Sequence, residues 1–498
     1  MMTLPPDLMK EKERIQKIAE EAGLDFCETI FEMVNYKSMN EIASYEGFPM
    51  RYPHWRFGME FERNFKLHSY GLAKIYELVI NNDPCYAYLL EGNSFLEQKL
   101  VMAHVYGHAD FFKNNAYFQN TNRKMVDSIA NHGVRIRRYI DIHGLDRVEE
   151  FIDHCLCIDN LIDPFAPLIT RKNQLDESVQ DEEIDPRERL KVARLPVEKG
   201  YMENYINPKE YLEAKQRELE EKLAREKKFP QKPERDVTGF LMEHAPMERF
   251  ERHILGMTRE ESLYFVPQRQ TKIMNEGWAS YWHSKLMTSG IADPCEIIDF
   301  AETHSATMAM APGQINPYKI GLEIFRDIED RWNRGKFGPE WEQCDDAQTR
   351  LNWNRHVGLG KKKIFEVRKI HNDVTFIDEF LTPELIERLK LFSYRFDPKK
   401  RQWVIESRDP NPVRERLLFQ LTNFGQPVIE VENANYKNRG ELLLQHRTDT
   451  IGLDKKYAKR TLSAIQAIWK RPVHIRTLAP RNKEVLWSHD GDKFGSET

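Results

Sequence analysis

A chain of 498 residues, 40% apolar and 31% charged, is long enough for two or three domains with cores of their own. Its formal net charge of −5 gives no general attraction to nucleic acid or to an acidic membrane surface. No run approaches 18 apolar residues and six scattered cysteines form no disulfide framework, so neither membrane insertion nor a secreted scaffold is expected, and a reducing cytoplasm fits.

The opening "MMTLPPDLMKEKERIQKIAEEAG" has no apolar core behind its basic residues, which argues against a secretory leader. Residues 7–46 read as helical, with Ile15, Ile18, Ala19 and Ala22 at helical spacing. The aromatic stretch "EGFPMRYPHWRFGMEFERNFKLHSYG" reads as an irregular buried segment. From "SFLEQKLVMAHVYGHADFF" to "RVEEFIDHCLCIDNLID" the period is again helical; Cys155 and Cys157 there read as structural thiols, since no second cysteine pair completes a zinc site. Residues 166–235 are dense in charge and read as a linker or insertion. Helical patterning returns over 236–360. Beyond it "KIFEVRKIH", "VTFIDEF", "RQWVIESRD", "PVIEVENANY", "PVHIRTLA" and "EVLWSHDG" suggest strands, with helices at "NPVRERLLFQLTN" and "DKKYAKRTLSAIQAIWK". The expectation is a mainly α protein with an α+β C-terminal domain over 361–498. A large helical domain drawn from 1–165 and 236–360 would carry a zincin-like two-helix metal site.

The chemistry is expected at "HVYGH". Residues four apart on a helix lie about 40° apart on the wheel, so His104 and His108 project from one face and can grip one divalent cation. In "NEGWASYWH", Glu276 and His283 stand seven apart, nearly two turns, with the small Ala279 and Ser280 between them. Two imidazoles and one carboxylate, with a position left open, are the donor set of a catalytic metal. His104, His108 and Glu276 are therefore the expected ligands.

"HVYGH" is similar to the H-E-x-G-H helix of some metallopeptidases, and "NEGWA" looks like the segment that supplies the glutamate ligand in zinc aminopeptidases. Taken together, "HVYGHADFFKNN", "LCIDNLIDP", "NEGWASYWH" and "INPYKIGLEIFRDIEDRW" resemble the stage V sporulation protein R (SpoVR) family, from about Gln16 to the C-terminus. That family is implicated in forming the peptidoglycan cortex of spores, and its members often stand beside a serine-kinase gene. The resemblance implies a peptidoglycan-related substrate and a serine-kinase-linked protein partner, with no nucleic acid.

A zincin uses the glutamate after its first histidine as base, and here that residue is Val105. His283, on the face of Glu276, is the expected catalytic base, because an imidazole titrates near neutrality. Asp110 and Asn275 are expected to orient neighbouring groups rather than to bind metal. Three functions follow: a zinc-dependent hydrolase of peptide or amide bonds, a non-haem iron enzyme using the same donors, or a non-catalytic regulatory adaptor in sporulation or stress response. Glu97, seven residues before His104, would allow a two-metal site, and His304 is a further residue placed to approach it. No glycine-rich phosphate loop is present.

Overall fold

The computed structural model describes residues 4–69, 75–169, 208–211, 213–215, 217, 228–311, 313–397, 401–448, 451–479 and 483–497. Most of the charged stretch expected as a linker over 166–235 lies outside them. The chain begins with α1 (Pro6–Glu21), β1 (Thr29–Val34), α2 (Tyr36–Ser44), α3 (Trp55–Ser69), β2 (Glu77–Ile80) and β3 (Cys85–Leu90). Helices α4 (Phe95–Asn114), α5 (Met125–His143), α6 (Leu145–Cys157), α7 (Val237–His244) and α8 (Arg249–Gln270) follow. Next come α9 (Lys272–Leu286), α10 (Ile297–Thr307), α11 (Pro317–Arg334), α12 (Gly360–Ile370), α13 (Asp373–Phe380) and α14 (Pro383–Arg388). The last part holds β4 (Ser393–Asp397), β5 (Gln402–Ser407), α15 (Pro410–Leu421), β6 (Val428–Tyr436), β7 (Glu441–Arg447), α16 (Lys455–Trp469), β8 (Val473–Ala479), β9 (Lys483–His489) and β10 (Phe494–Glu497). The protein is mostly helical with a sheet-bearing C-terminal region, as expected.

Two compact units divide the chain, each from two stretches: residues 1–149 with 263–426, and residues 150–262 with 427–498. In the second unit β10-β9-β8-β7-β6 form one sheet, antiparallel except where β7 runs parallel to β8. A parallel neighbour needs a crossover, and α16 supplies it. Among the described residues no helix is long and apolar enough to cross a membrane.

The first unit is organised around two helices buried on nearly every side, α4 and α9. Such all-round burial marks a core helix rather than an amphipathic surface one. Ser94 and Glu97 close a capping box at the start of α4, with Ser94 N donating to Glu97 Oε2 at 2.6 Å, so Glu97 serves the helix end. Helix α9 has no such residue of its own. Its cap comes from α13, where the buried Asp373 carboxylate accepts the backbone N–H groups of Ile273 and Met274, each at 2.8 Å. Close approach then fixes the depth of packing. A Cβ on Gly107 would sit 2.7 Å from Ala279 Cα, and one on Gly277 would sit 2.4 Å from Gly321 Cα in α11. Helix α9 is thus held against α4 on one side and α11 on the other, with backbone nearly touching backbone.

Three local expectations are corrected. "KIFEVRKIH" and "VTFIDEF" are helices α12 and α13, not strands. Ile364 and Val367 bury one helical face, and Asn372 caps α13 in a box with Thr375, signals that the short apolar alternation conceals. The aromatic segment after residue 46 contains α3 from Trp55, and strand β1 interrupts the helical reading of 7–46.

A candidate metal centre between two core helices

On α4, His104 and His108 stand one turn apart, their ring centroids 4.5 Å from each other. From α9, Glu276 points back at both. Its Oε2 lies 3.5 Å from His104 Nε2 and 3.5 Å from His108 Nε2. The three ligand atoms fall within 4.8 Å of one another, and all three residues are buried. The structure therefore brings together the three residues expected to bind metal, 168 positions apart in sequence between His108 and Glu276.

The rear nitrogens show which way the lone pairs face. His108 Nδ1 lies 2.9 Å from Asn275 Oδ1, an acceptor, so Nδ1 carries the proton and Nε2 presents a lone pair toward Glu276. His104 Nδ1 lies 2.9 Å from His283 Nδ1, and His283 Nε2 lies 3.0 Å from His304 Nδ1. Two tautomer sets satisfy that chain of rings, and in one of them His104 donates to His283 and His283 donates to the half-buried His304. His104 Nε2 is then also a lone pair. Lys272, one turn before Glu276, donates to Oε1, while Oε2 is buried without a hydrogen-bond partner. In that tautomer set three acceptors face one another, an arrangement that is costly unless a cation stands there. The residues fit a metal held by two imidazoles and one carboxylate oxygen.

The three groups also act on one another electrostatically. Burial opposes the charge on Glu276, yet His108, His104 and Lys272 hold its carboxyl well below the usual range. Burial and the neighbouring His108 lower His104 to about 4. Burial also lowers His108, but the Glu276 carboxylate more than offsets it and the net shift is upward. His283 is held well below its ordinary value, by burial first and by His104 and His304 next.

Asn275 stands behind His108, where its carbonyl fixes the ring. Asp110 does not reach the ligands: it accepts from Trp278 Nε1 at 2.7 Å, Arg368 Nη1 at 2.6 Å and Asp25 N at 2.8 Å, tying α4 to α9 and α12 beside the site. His283 has both ring nitrogens engaged by other histidines. Three further residues at the site carried no role in the sequence reading. Lys272 was legible four positions before Glu276 on one helix face. Tyr318, whose ring lies 6.2 Å from that of His104, sits in the quoted "INPYKIG" without any marker of function. Glu77 comes from strand β2 and is near enough that His108, Glu276 and Lys272 all act on its carboxyl, which burial pushes up to about 7. Nothing in the sequence points to it.

Asp373 gives a testable pH dependence. Burial raises its carboxyl to about 7 despite the two N–H groups it accepts. A folded-state pKa above the unfolded one means the native protein binds the extra proton, so this group's contribution is full below about pH 4 and is lost as pH rises toward 7. Asp373→Asn should flatten the fall in unfolding free energy across that window, a change on the order of a few kcal/mol. Denaturant titrations at pH 4, 5.5 and 7 measure it; an unchanged slope refutes the assignment.

Two family models match the chain: one described as SpoVR like protein over residues 3–426, and one described as SpoVR-like C-terminal domain over residues 427–480. Their boundary falls where the second unit takes up its second stretch. A relative from Escherichia coli (strain K12), "Uncharacterized protein YcgB", is 29% identical over 491 residues, covering 91% of this chain and 88% of its own. No solved structure matches the chain.

Proposed function

Since the chain belongs to the SpoVR family, we propose that it is a metal-dependent hydrolase of peptide or amide bonds whose cation is held by His104, His108 and Glu276. The observation that carries this reading is the buried convergence of three acceptor atoms within 4.8 Å, one of them an orphaned carboxylate oxygen. A divalent cation at such a point supplies Lewis-acid polarisation of a carbonyl and acidifies water. Zinc suits two imidazoles and a carboxylate with one position open; iron is the alternative for the same donors. The family's tie to sporulation makes peptide or amide bonds of the peptidoglycan cortex the substrate class to try first.

The chain's own residues divide the work. Asn275 and His283 hold the two imidazoles with Nε2 forward. Lys272 engages Oε1 of Glu276 and so leaves Oε2 for the cation. His283 was expected as base, but its nitrogens are committed to His104 and His304. In this proposal it is a positioning residue, and the base is Glu77, a buried carboxyl within electrostatic reach of His108 and Glu276. It takes the proton that Val105 cannot. Tyr318 stacks beside His104 and its phenol acts on Glu276, which makes it a further residue that orients the carboxylate.

The experiment is turnover of peptidoglycan peptide fragments by the purified full chain loaded with zinc. Glu77→Gln should keep about one metal per chain and lose roughly 10²–10⁴ in kcat. His283→Ala should weaken metal affinity by about 10–100-fold instead. Wild-type turnover in Glu77→Gln removes that residue as base. A purified protein that takes up no divalent metal removes the whole reading.

A further inference from the structure

The first unit holds a concavity of about 540 Å³, within the range of small-molecule sites. Its floor is apolar, with Leu389 and Leu417 buried beneath it. Its rim carries four cations, Lys319, Arg388, Lys390 and Arg416, and three aromatic side chains, Phe392, Tyr394 and Trp403; among the described residues no carboxylate lines it. Arg388 shares its charge with Asp327 at 3.5 Å and Glu323 at 3.9 Å. Lys319, Lys390 and Arg416 have no ion pair among the described residues. Trp403 is 55% exposed, its ring set edge-on to that of Phe396 with 5.5 Å between centroids.

The walls are built, not loose. Asn316 Nδ2 donates to Thr307 O at 2.8 Å and Ala309 O at 2.9 Å, while its Oδ1 accepts Tyr318 N at 3.0 Å, which closes the turn before α11. Gly313, at φ +79°, passes close enough that a Cβ there would lie 3.7 Å from Tyr394 Cβ. Tyr394 Oη donates to Lys390 O at 3.0 Å and ties strand β4 to the chain leaving α14.

Like charges gathered around one cavity repel one another, and a bound polyanion relieves that repulsion. Arginine and lysine meet phosphate oxygens by charge-assisted hydrogen bonds, and an exposed indole offers a flat face for a planar ring. We propose that this cavity binds a nucleoside diphosphate, its phosphates on Lys319, Lys390 and Arg416 and its base against Trp403. Recognition is by side chains and needs no glycine-rich loop. The inference is separate from the metal centre and stands whether or not that centre hydrolyses amides.

Calorimetric titration of the full chain in magnesium-free buffer tests it, with ADP, UDP, adenosine and inorganic diphosphate as probes. The nucleoside diphosphates should bind with Kd on the order of micromolar, at least about tenfold tighter than adenosine or inorganic diphosphate. Arg416→Glu and Lys390→Glu should each weaken binding by about tenfold or more, and Trp403→Ala should weaken ADP more than inorganic diphosphate. All three positions are exposed, so circular dichroism should show native helix content in each variant. Binding must also survive His108→Ala, which separates the cavity from the metal ligands. The proposal is overturned by affinity no better than about 1 mM, by equal affinity for inorganic diphosphate, by indifference to both charge reversals, or by loss of binding in His108→Ala.

Discussion

Replacing Gly277 by alanine is expected to lower the free energy of unfolding by about 3 kcal/mol, a large effect for one methyl group. The added Cβ would lie 2.4 Å from both Cα and C of Gly321, so backbone rather than a yielding side chain receives it. Relief requires α9 and α11 to separate, and every contact around Trp278, Phe325 and Ile324 in that core opens with them. Gly321→Ala meets Ile273 O at 2.1 Å and should cost a similar amount. Gly58 provides the control. It is exposed in α3 with nothing within 4 Å, so Gly58→Ala should stabilise by roughly 0.5–1 kcal/mol through helix propensity alone. Urea unfolding of the three variants decides; equal and small effects at all three positions mean the helices are not packed at backbone distance.

His108→Ala is expected to reduce bound metal from near one per chain to below about a tenth, and to make thermal stability indifferent to added zinc. In the wild type, zinc at about a thousand times its Kd should add roughly 4 kcal/mol, because the cation binds only the folded arrangement of α4 and α9. The variant keeps Lys272 on Glu276, so the carboxylate is not stranded and folding should persist. Elemental analysis and melting curves with and without zinc read the outcome. Equal metal content in wild type and variant would falsify the ligand assignment.

How much of this was legible beforehand differs element by element. The spacing of His104 and His108 fixed a shared face, because a helix has one periodicity and the pair obeys it. Glu276 was legible as a partner from its setting in "NEGWA". The direction of His283 was not: an angle on a helical wheel says which side a ring leaves from, and a shared side with Glu276 still allowed its nitrogens to go to His104 and His304. Asp373 and Glu77 were invisible for another reason. Each reaches the site through tertiary placement, from about a hundred positions beyond the end it caps and from a short strand before α4. The errors at α12 and α13 are of a third kind. Eight to eleven residues with a few alternating apolar positions satisfy both periods, and only Asn372 as a cap, or burial by neighbours, tips the balance.

The interleaving of the two units has a consequence for biosynthesis. A ribosome that has delivered residues 1–262 has made both imidazoles and an entire stretch of the other unit, but neither the acid nor its helix. The histidine helix must wait, with its apolar sides uncovered, until α9, α11 and the Asp373 cap have left the exit tunnel. The full donor set therefore does not exist until residue 276 has been made. A pulse-labelled nascent chain should gain protease resistance in one late step rather than progressively.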